Sequence, residues 1–229
     1  RVGGNPYEFY GLQANGVYST QAEASEAALT NSSNQAYSAG DVRYVDQNND
    51  GRIDSKDYVS LGSATPDYFG GFYTNIRYKH FALAAAFFFS KGKEAYNAVR
   101  RTLESVSSFS NQSVAVTNRW NVEGQVTNIP RASYGDAIGN NNFSSRWIED
   151  ASFLRMKSIT LSYNFDKPVW NFFRSGTIYV TGENLLTATK YLGMDPEFAY
   201  SSGSNATQGF DYAKVMQPKS VKLGINLKF

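Results

Sequence analysis

Ser220-Val221-Lys222-Leu223-Gly224-Ile225-Asn226-Leu227-Lys228-Phe229 alternates without a slip. Val221, Leu223, Ile225, Leu227 and Phe229 are apolar, and the residues between them are small or polar. Successive side chains of a strand point to opposite faces, so this segment predicts a strand with one greasy face and one wet face. A length of about ten residues suits a tilted strand crossing a bilayer.

Working outward from that segment, Gly176 to Leu186 reads as a second strand, with Ile178 and Val180 set against Tyr179, Thr181 and Glu183. Phe153 to Phe165 is a third, but its apolar phase slips. Leu154 and Met156 share one parity, and Ile159, Leu161, Tyr163 and Phe165 share the other. A β-bulge near Ser158 would reconcile the two halves. Tyr68 to Tyr78 and Phe81 to Phe89 are two further strands, with room only for a tight hairpin at Lys79-His80. Tyr7 to Tyr18 is a weaker candidate, interrupted at Asn15-Gly16. A short helix is expected around Glu94 to Ser105.

The connectors alternate in length. Lys79-His80 and Asp166 to Ser175 are short, whereas Gln21 to Pro66, Lys91 to Asp150 and Thr187 to Gln217 are long. Long structureless loops are uncommon inside compact soluble domains. Short turns at one end and long loops at the other are the habit of outer-membrane barrels. The expected fold is therefore all-β, an antiparallel transmembrane β-barrel with long extracellular loops over residues 21–66, 91–150 and 187–217.

Composition agrees. Aromatics reach 15%, and no run approaches the roughly 18 apolar residues of a membrane helix, so any crossing is made by strands. The net charge of +2 gives no strong pull towards nucleic acid, and none is expected as a partner. The absence of cysteine excludes disulfides, thiolate metal sites and cysteine nucleophiles. The chain starts at Arg1 rather than a methionine, which raises the expectation of a portion of a longer polypeptide.

The sharpest chemical pattern is DQNNDGRIDSKD, Asp46 to Asp57. Asp46, Asn48, Asp50, Asp54 and Asp57 occupy positions 1, 3, 5, 9 and 12 of an EF-hand-like loop. Gly51 stands where that loop turns sharply, and Arg52 would lend its backbone carbonyl. Hard oxygen ligands at this spacing suit a structural Ca²⁺, although the same residues also dominate metal-free turns. Catalysis finds little support. His80 is the one histidine and lies in the expected turn. Glu149 and Asp150 are adjacent, so on a strand they face opposite sides, and a solvated strand entry near Trp147 is expected. Trp147, Trp170, Phe172, Phe173 and Tyr191 lie near expected strand ends, where an aromatic girdle sits. Trp120, Tyr134, Tyr191 and Phe198 are loop aromatics that could stack on a ligand or pack within their loops.

Five stretches, in order, resemble the SusC/RagA-type TonB-dependent transporters of Bacteroidetes. They are GDVRYVDQNNDGRID (Gly40 to Asp54), PDYFGGFYTNIRYKHFALAAAFFFSKG (Pro66 to Gly92), SRWIEDASFLRMKSITLSYNF (Ser145 to Phe165), TGENLLTATKYLGMDPE (Thr181 to Glu197) and QPKSVKLGINLKF (Gln217 to Phe229). The resemblance implies a 22-stranded plugged barrel in the bacterial outer membrane, of which this chain would supply the C-terminal five or six strands. It implies import of oligosaccharides or peptides, a SusD-like surface lipoprotein, and coupling to TonB through an N-terminal plug that this sequence does not contain. In that light Val221, Leu223, Ile225, Leu227 and Phe229 resemble the C-terminal signal read by the outer-membrane assembly machinery. Val221, Leu223, Ile225 and Leu227 would then face lipid, while Lys222, Asn226, Lys228, Tyr179, Thr181 and Glu183 would face the lumen. The rival reading is a secreted, calcium-stabilised β-sandwich that binds carbohydrate or protein, with its apolar face buried.

Overall fold

The computed structural model describes residues 3–5, 7–165, 174–198 and 208–228. Trp170, Phe172, Phe173 and Phe229, named above, lie outside the described residues, as does most of the connection from Asp166 to Ser175. In chain order the elements begin with β1 (Glu8–Leu12), β2 (Ala14–Val17), α1 (Gln21–Ala27), β3 (Thr30–Asn31), β4 (Val42–Tyr44), β5 (Arg52–Ile53) and β6 (Tyr58–Ser63). They continue with β7 (Tyr68–Tyr78), β8 (Phe81–Lys91), β9 (Glu94–Asn97), α2 (Ala98–Leu103), β10 (Ile148–Asp150), β11 (Phe153–Phe165), β12 (Ser175–Thr189), β13 (Phe210–Asp211) and β14 (Ser220–Lys228). No helix among the described residues is long and apolar enough to cross a membrane.

The chain divides into two compact units, one of Arg1–Thr65, Glu94–Asp150 and Ala199–Lys214, the other of Pro66–Lys93, Ala151–Phe198 and Val215–Phe229. The second unit holds an antiparallel sheet in the order β14-β12-β11-β8-β7. Its register sorts the side chains. Leu223 pairs with Val180, Val180 with Leu161, Leu161 with Leu83, and Leu83 with Ile76. One residue along, Lys222, Thr181, Thr160, Ala84 and Asn75 form the neighbouring rung on the opposite face. Directly paired residues share a face, so one face is mainly apolar across all five strands and the other is mainly polar or small, with Phe88 and Phe153 joining it beyond the bulge. The apolar face is open, with Leu223 81%, Val221 71% and Ile76 59% exposed. A sandwich would have buried these side chains.

The phase slip in β11 is a bulge. Its register shifts between Met156 and Ser158 against both neighbours. Against β8, Lys157 is the extra residue, and the bulge that absorbs it keeps Leu154 and Met156 on the face of Ile159 and Leu161. Between β7 and β8, Lys79 takes φ 52°, as a two-residue turn demands.

The long connectors are not structureless. Residues 21–66 and 91–150 contribute most of the first unit, whose strands are short and pair as β1-β6, β2-β4, β3-β5 and β10-β9-β13. Tyr7 to Tyr18 therefore belongs to this unit as β1 and β2, not to the five-strand sheet. The helix expected from Glu94 is shorter, since Glu94–Asn97 is strand and only Ala98–Leu103 is helical, with Asn97 capping it through Arg100 N. One core gathers Leu12, Tyr18, Tyr37, Val42, Tyr44, Ile53 and Ile138; another gathers Phe9, Ala64, Tyr96, Ala98 and Trp147. Asp41, fully buried, ties distant loops together by accepting from Arg131 at 2.8 and 3.1 Å, Asn140 Nδ2 at 3.0 Å and the Ser38 amide at 2.9 Å. Gly40 sits at φ 83°, and a Cβ there would lie 2.5 Å from the Trp120 ring.

Deleting Lys157 would leave Leu154, Arg155, Met156, Ser158 and Ile159 in strict alternation, so it should remove the bulge while every side chain keeps its face. The full-length protein should keep its folded, heat-modifiable band on cold gels. Loss of that band would contradict the assignment of Lys157 as the extra residue.

Candidate functional site

The polar face of the five-strand sheet is chemically the richest surface of its unit. Lys222 Nζ lies 2.6 Å from Glu183, which also accepts from Ser220 Oγ at 2.9 Å. Thr160 and Thr181 hydroxyls meet at 2.8 Å, and Thr177 donates to Asn164 at 2.7 Å. Tyr179, Thr181, Glu183, Lys222, Asn226 and Lys228 thus share one face, as their parity requires.

Beyond the bulge, the same face carries a buried ion-pair network. Arg155, only 4% exposed, spans both oxygens of Asp195 at 2.5 and 3.3 Å. It also reaches Glu197 at 3.0 Å, which Lys157 meets at 2.6 Å. Lys93 donates to the Pro196 carbonyl at 2.6 Å and stands over the rings of Phe153 and Phe198. The segment after β12 is thereby strapped to the sheet, and buried Tyr191 packs its ring against Phe198 at 5.7 Å. Burial alone would raise the Asp195 carboxyl. The Arg155 guanidinium and the amides of Glu197 and Gln217 outweigh burial and hold it below the usual carboxylate range. Burial drives the Lys93 ammonium down despite Glu197 and Asp195. Parity alone did not single out this network. Its one sequence signal was a pair of cations, Arg155 and Lys157, flanking the phase slip, with Asp195 and Glu197 distant in the chain.

The Asp46 to Asp57 loop turns as its spacing requires, with Asn49 at φ 59° and Gly51 at φ 77°. Its carboxylates serve its own backbone. Asp46 Oδ2 accepts from Gly51 N at 2.8 Å, and Asp50 Oδ1 from Arg52 N at 3.0 Å. Asn48 Oδ1 accepts from Asp50 N at 3.0 Å. Asp54 and Asp57 form a reciprocal capping box, and Asp57, fully buried, also takes Gln47 N at 2.9 Å. Lys56 Nζ approaches Asp50 at 3.2 Å. Among the described residues no three His, Cys, Asp or Glu side chains converge as a metal site. One feature does suit a cation: Asp46 Oδ1 is buried and has no hydrogen-bond partner.

The remaining candidates fall into packing roles. Trp147 is not at a sheet rim but fully buried in the first unit. Glu149 is not solvated; it accepts from Asn97 at 3.2 Å and from Arg100 at 2.5 Å. Trp120 donates to the Ser19 carbonyl at 3.1 Å. Tyr134 is exposed and pairs with Phe109 at 5.0 Å. His80 is exposed in its turn, with the Tyr163 ring 5.8 Å away.

No protein-family model matches the chain. TonB-dependent receptor P26 of Formosa agariphila is 31% identical over 233 residues, covering 100% of this chain and 23% of that receptor. TonB-dependent receptor SusC of Bacteroides thetaiotaomicron is 28% identical over 193 residues, covering 81% of this chain and 17% of SusC. The chain thus spans less than a quarter of the length of the curated relatives it matches. Among solved structures, the RagAB peptide transporter superposes with a TM-score of 0.75 at 23% identity, over 99% of this chain and 23% of that one. The RagAB peptide importer in its closed-closed state gives 0.74 at 24% identity, over 99% of this chain and 23% of the other. At that identity the likeness is one of fold.

Asp195→Asn should cost up to about 3–5 kcal/mol, because buried Arg155 then faces a neutral amide with Glu197 as its remaining carboxylate. The pH dependence has a definite sign. Asp195 titrates lower folded than unfolded, so its contribution is complete above about pH 4 and fades as pH falls through the folded value. Urea midpoints in detergent should therefore fall on acidification below pH 4 more steeply for the parent protein than for the Asn variant.

Proposed function

The chain is of the SusC/RagA type of TonB-dependent receptor, and from that membership we propose that it builds part of the wall of an outer-membrane importer. The apolar face of the five-strand sheet meets lipid, and the polar face lines the lumen. The carrying observation is the face segregation across all five strands, with the apolar side open. Exposed apolar patches of more than a few hundred Å² call for a covering phase. A bilayer supplies it, and strands are the one alternative to helices for crossing. The relatives are receptors and transporters rather than enzymes, and the residues described here suit binding rather than bond breaking.

The proposed activity is TonB-dependent uptake of oligosaccharides or peptides, with a SusD-like surface lipoprotein over the outer mouth. The relatives named SusC and RagAB support this reading. The short turn at Lys79-His80 would face the periplasm, and residues 21–66, 91–150 and 187–217 would face outside. Val221, Leu223, Ile225, Leu227 and Phe229 would present the last strand to the assembly machinery by edge pairing. Calcium is proposed for the Asp46 to Asp57 loop on the strength of the unpartnered Asp46 Oδ1. Asp46, Asn48, Asp50, Asp54, Asp57 and the Arg52 carbonyl would hold it, and its role would be to stiffen the loop.

Leu223→Arg in the full-length receptor should lower barrel stability by about 2–4 kcal/mol, whereas Asn226→Arg on the other face should change it by less than about 1 kcal/mol. Unfolding in detergent or lipid measures both, and equal effects would contradict the lipid assignment. For the metal, millimolar Ca²⁺ added to chelator-treated receptor should raise the thermal midpoint by about 3 °C or more, and Asp46→Asn should abolish the rise. No shift in the parent protein removes calcium from the account.

A further inference from the structure

The first unit contains a small hollow of about 200 Å³ lined by Ala14, Gly16, Arg100, Asn128, Ser145 and Arg146. Two guanidiniums stand at its wall, and the Trp147 ring positions both, with the Arg100 and Arg146 carbons 5.5 and 4.5 Å from its centroid. The two cations differ in their company. Arg100 is matched by Glu104 at 3.2 Å and Glu149 at 2.5 Å. Arg146 has no carboxylate within ion-pair distance among the described residues; it donates to the Asn140 carbonyl at 2.8 Å and the Asn128 carbonyl at 3.2 Å. Two of its five N–H groups are thus used and three are left. The group is densely surrounded yet keeps some exposed surface. Burial, chiefly, lowers its pKa to about 10; Arg100 adds to this, while Tyr44, Glu104 and Asp136 oppose it from farther off. A half-buried cation whose hydrogen bonds go to neutral carbonyls gains from an anion.

The floor of the hollow is open. Gly16 has φ 81°, and a Cβ built on it would meet nothing within 4 Å. Ser145 Oγ accepts from the Ala14 amide at 2.9 Å, so β2 is stitched to the turn that carries Arg146.

We propose that this hollow binds a carboxylate of the imported ligand through Arg146, so that the receptor selects acidic oligomers. The inference rests on the import reading above. Its size is below the roughly 300 Å³ of pockets that enclose a drug-sized ligand. It therefore suits one acidic group and its carrier residue rather than a whole oligomer. A uronic acid and an acidic peptide residue present the same chemistry.

The test uses the full-length receptor in detergent and calorimetric titration with four probes. These are a uronic-acid trisaccharide, an acidic hexapeptide, and the methyl ester of each. At least one acid should bind at least about tenfold more tightly than its ester, and the arm that does so identifies the source of the carboxylate. Arg146→Gln should erase that preference. Gly16→Asp is the second variant, since Asp tolerates positive φ and would place the receptor's own carboxylate in the hollow. It should erase the same preference even if Arg146→Gln fails to fold. Equal binding of acid and ester, no binding of either acid, or a preference that survives both variants would overturn the site. Heat-modifiable mobility of the same samples reports the barrel separately, so a folded receptor lacking the preference counts against the hollow and not against the import reading.

Discussion

A strand has two faces and no way to hide one of them by itself, so five adjacent strands can share a wall only if their apolar side chains all fall on one side. The Leu223, Val180, Leu161, Leu83 and Ile76 rung meets that condition, as does the polar rung beside it. A one-residue slip anywhere would transfer a strand's whole apolar set to the other face. The bulge at Lys157 is the correction that lets thirteen residues of β11 obey the rule along their full length. Without it, either Leu154 and Met156 or Ile159 and Leu161 would stand among lysines and threonines.

The same correction places Arg155 where a charge can be tolerated. A guanidinium that is 4% exposed costs several kcal/mol of lost hydration unless it is paired and hydrogen-bonded. Asp195 and Glu197 supply the pairing, and in doing so they draw the segment after β12 onto the polar face. This polar face also combines ammonium, carboxylate, hydroxyl and amide groups, which suits weak, reversible contact with a passing polar ligand.

The first unit obeys a different logic. Its strands are too short to form a wall, and its cores are built from tyrosines and tryptophan stitched by polar side chains. Asp41 and Asp57 are both fully buried and both satisfied by backbone amides or cationic partners. The acid-rich loop is thus first a folding device, with Asp46 Oδ1 a buried oxygen left without a partner. Among the cations, Arg52 Nε is buried without a hydrogen-bond partner, and Arg146 has N–H groups beyond the two its carbonyl acceptors use. Such leftovers are where a folded scaffold has binding capacity to offer.

Period-two alternation with breaks at Lys79-His80 was enough to locate all five long strands, and the phase slip was enough to locate the bulge, because both depend on neighbours in sequence alone. The sharp turn of the acid loop was legible for the same reason: Gly51 and Asn49 set it locally. What the sequence could not show was how the long connectors fold. Their order comes from contacts such as Arg131 with Asp41 and Arg100 with Glu149, which join residues far apart in the chain and leave no periodic trace. Trp147 looked like a strand-end aromatic and Glu149 like a solvated acid, but burial is decided by what packs on a residue. Local chemistry determined the strands and their faces; only tertiary structure decided which charges found ionic partners and which, like Arg146, found neutral carbonyls instead.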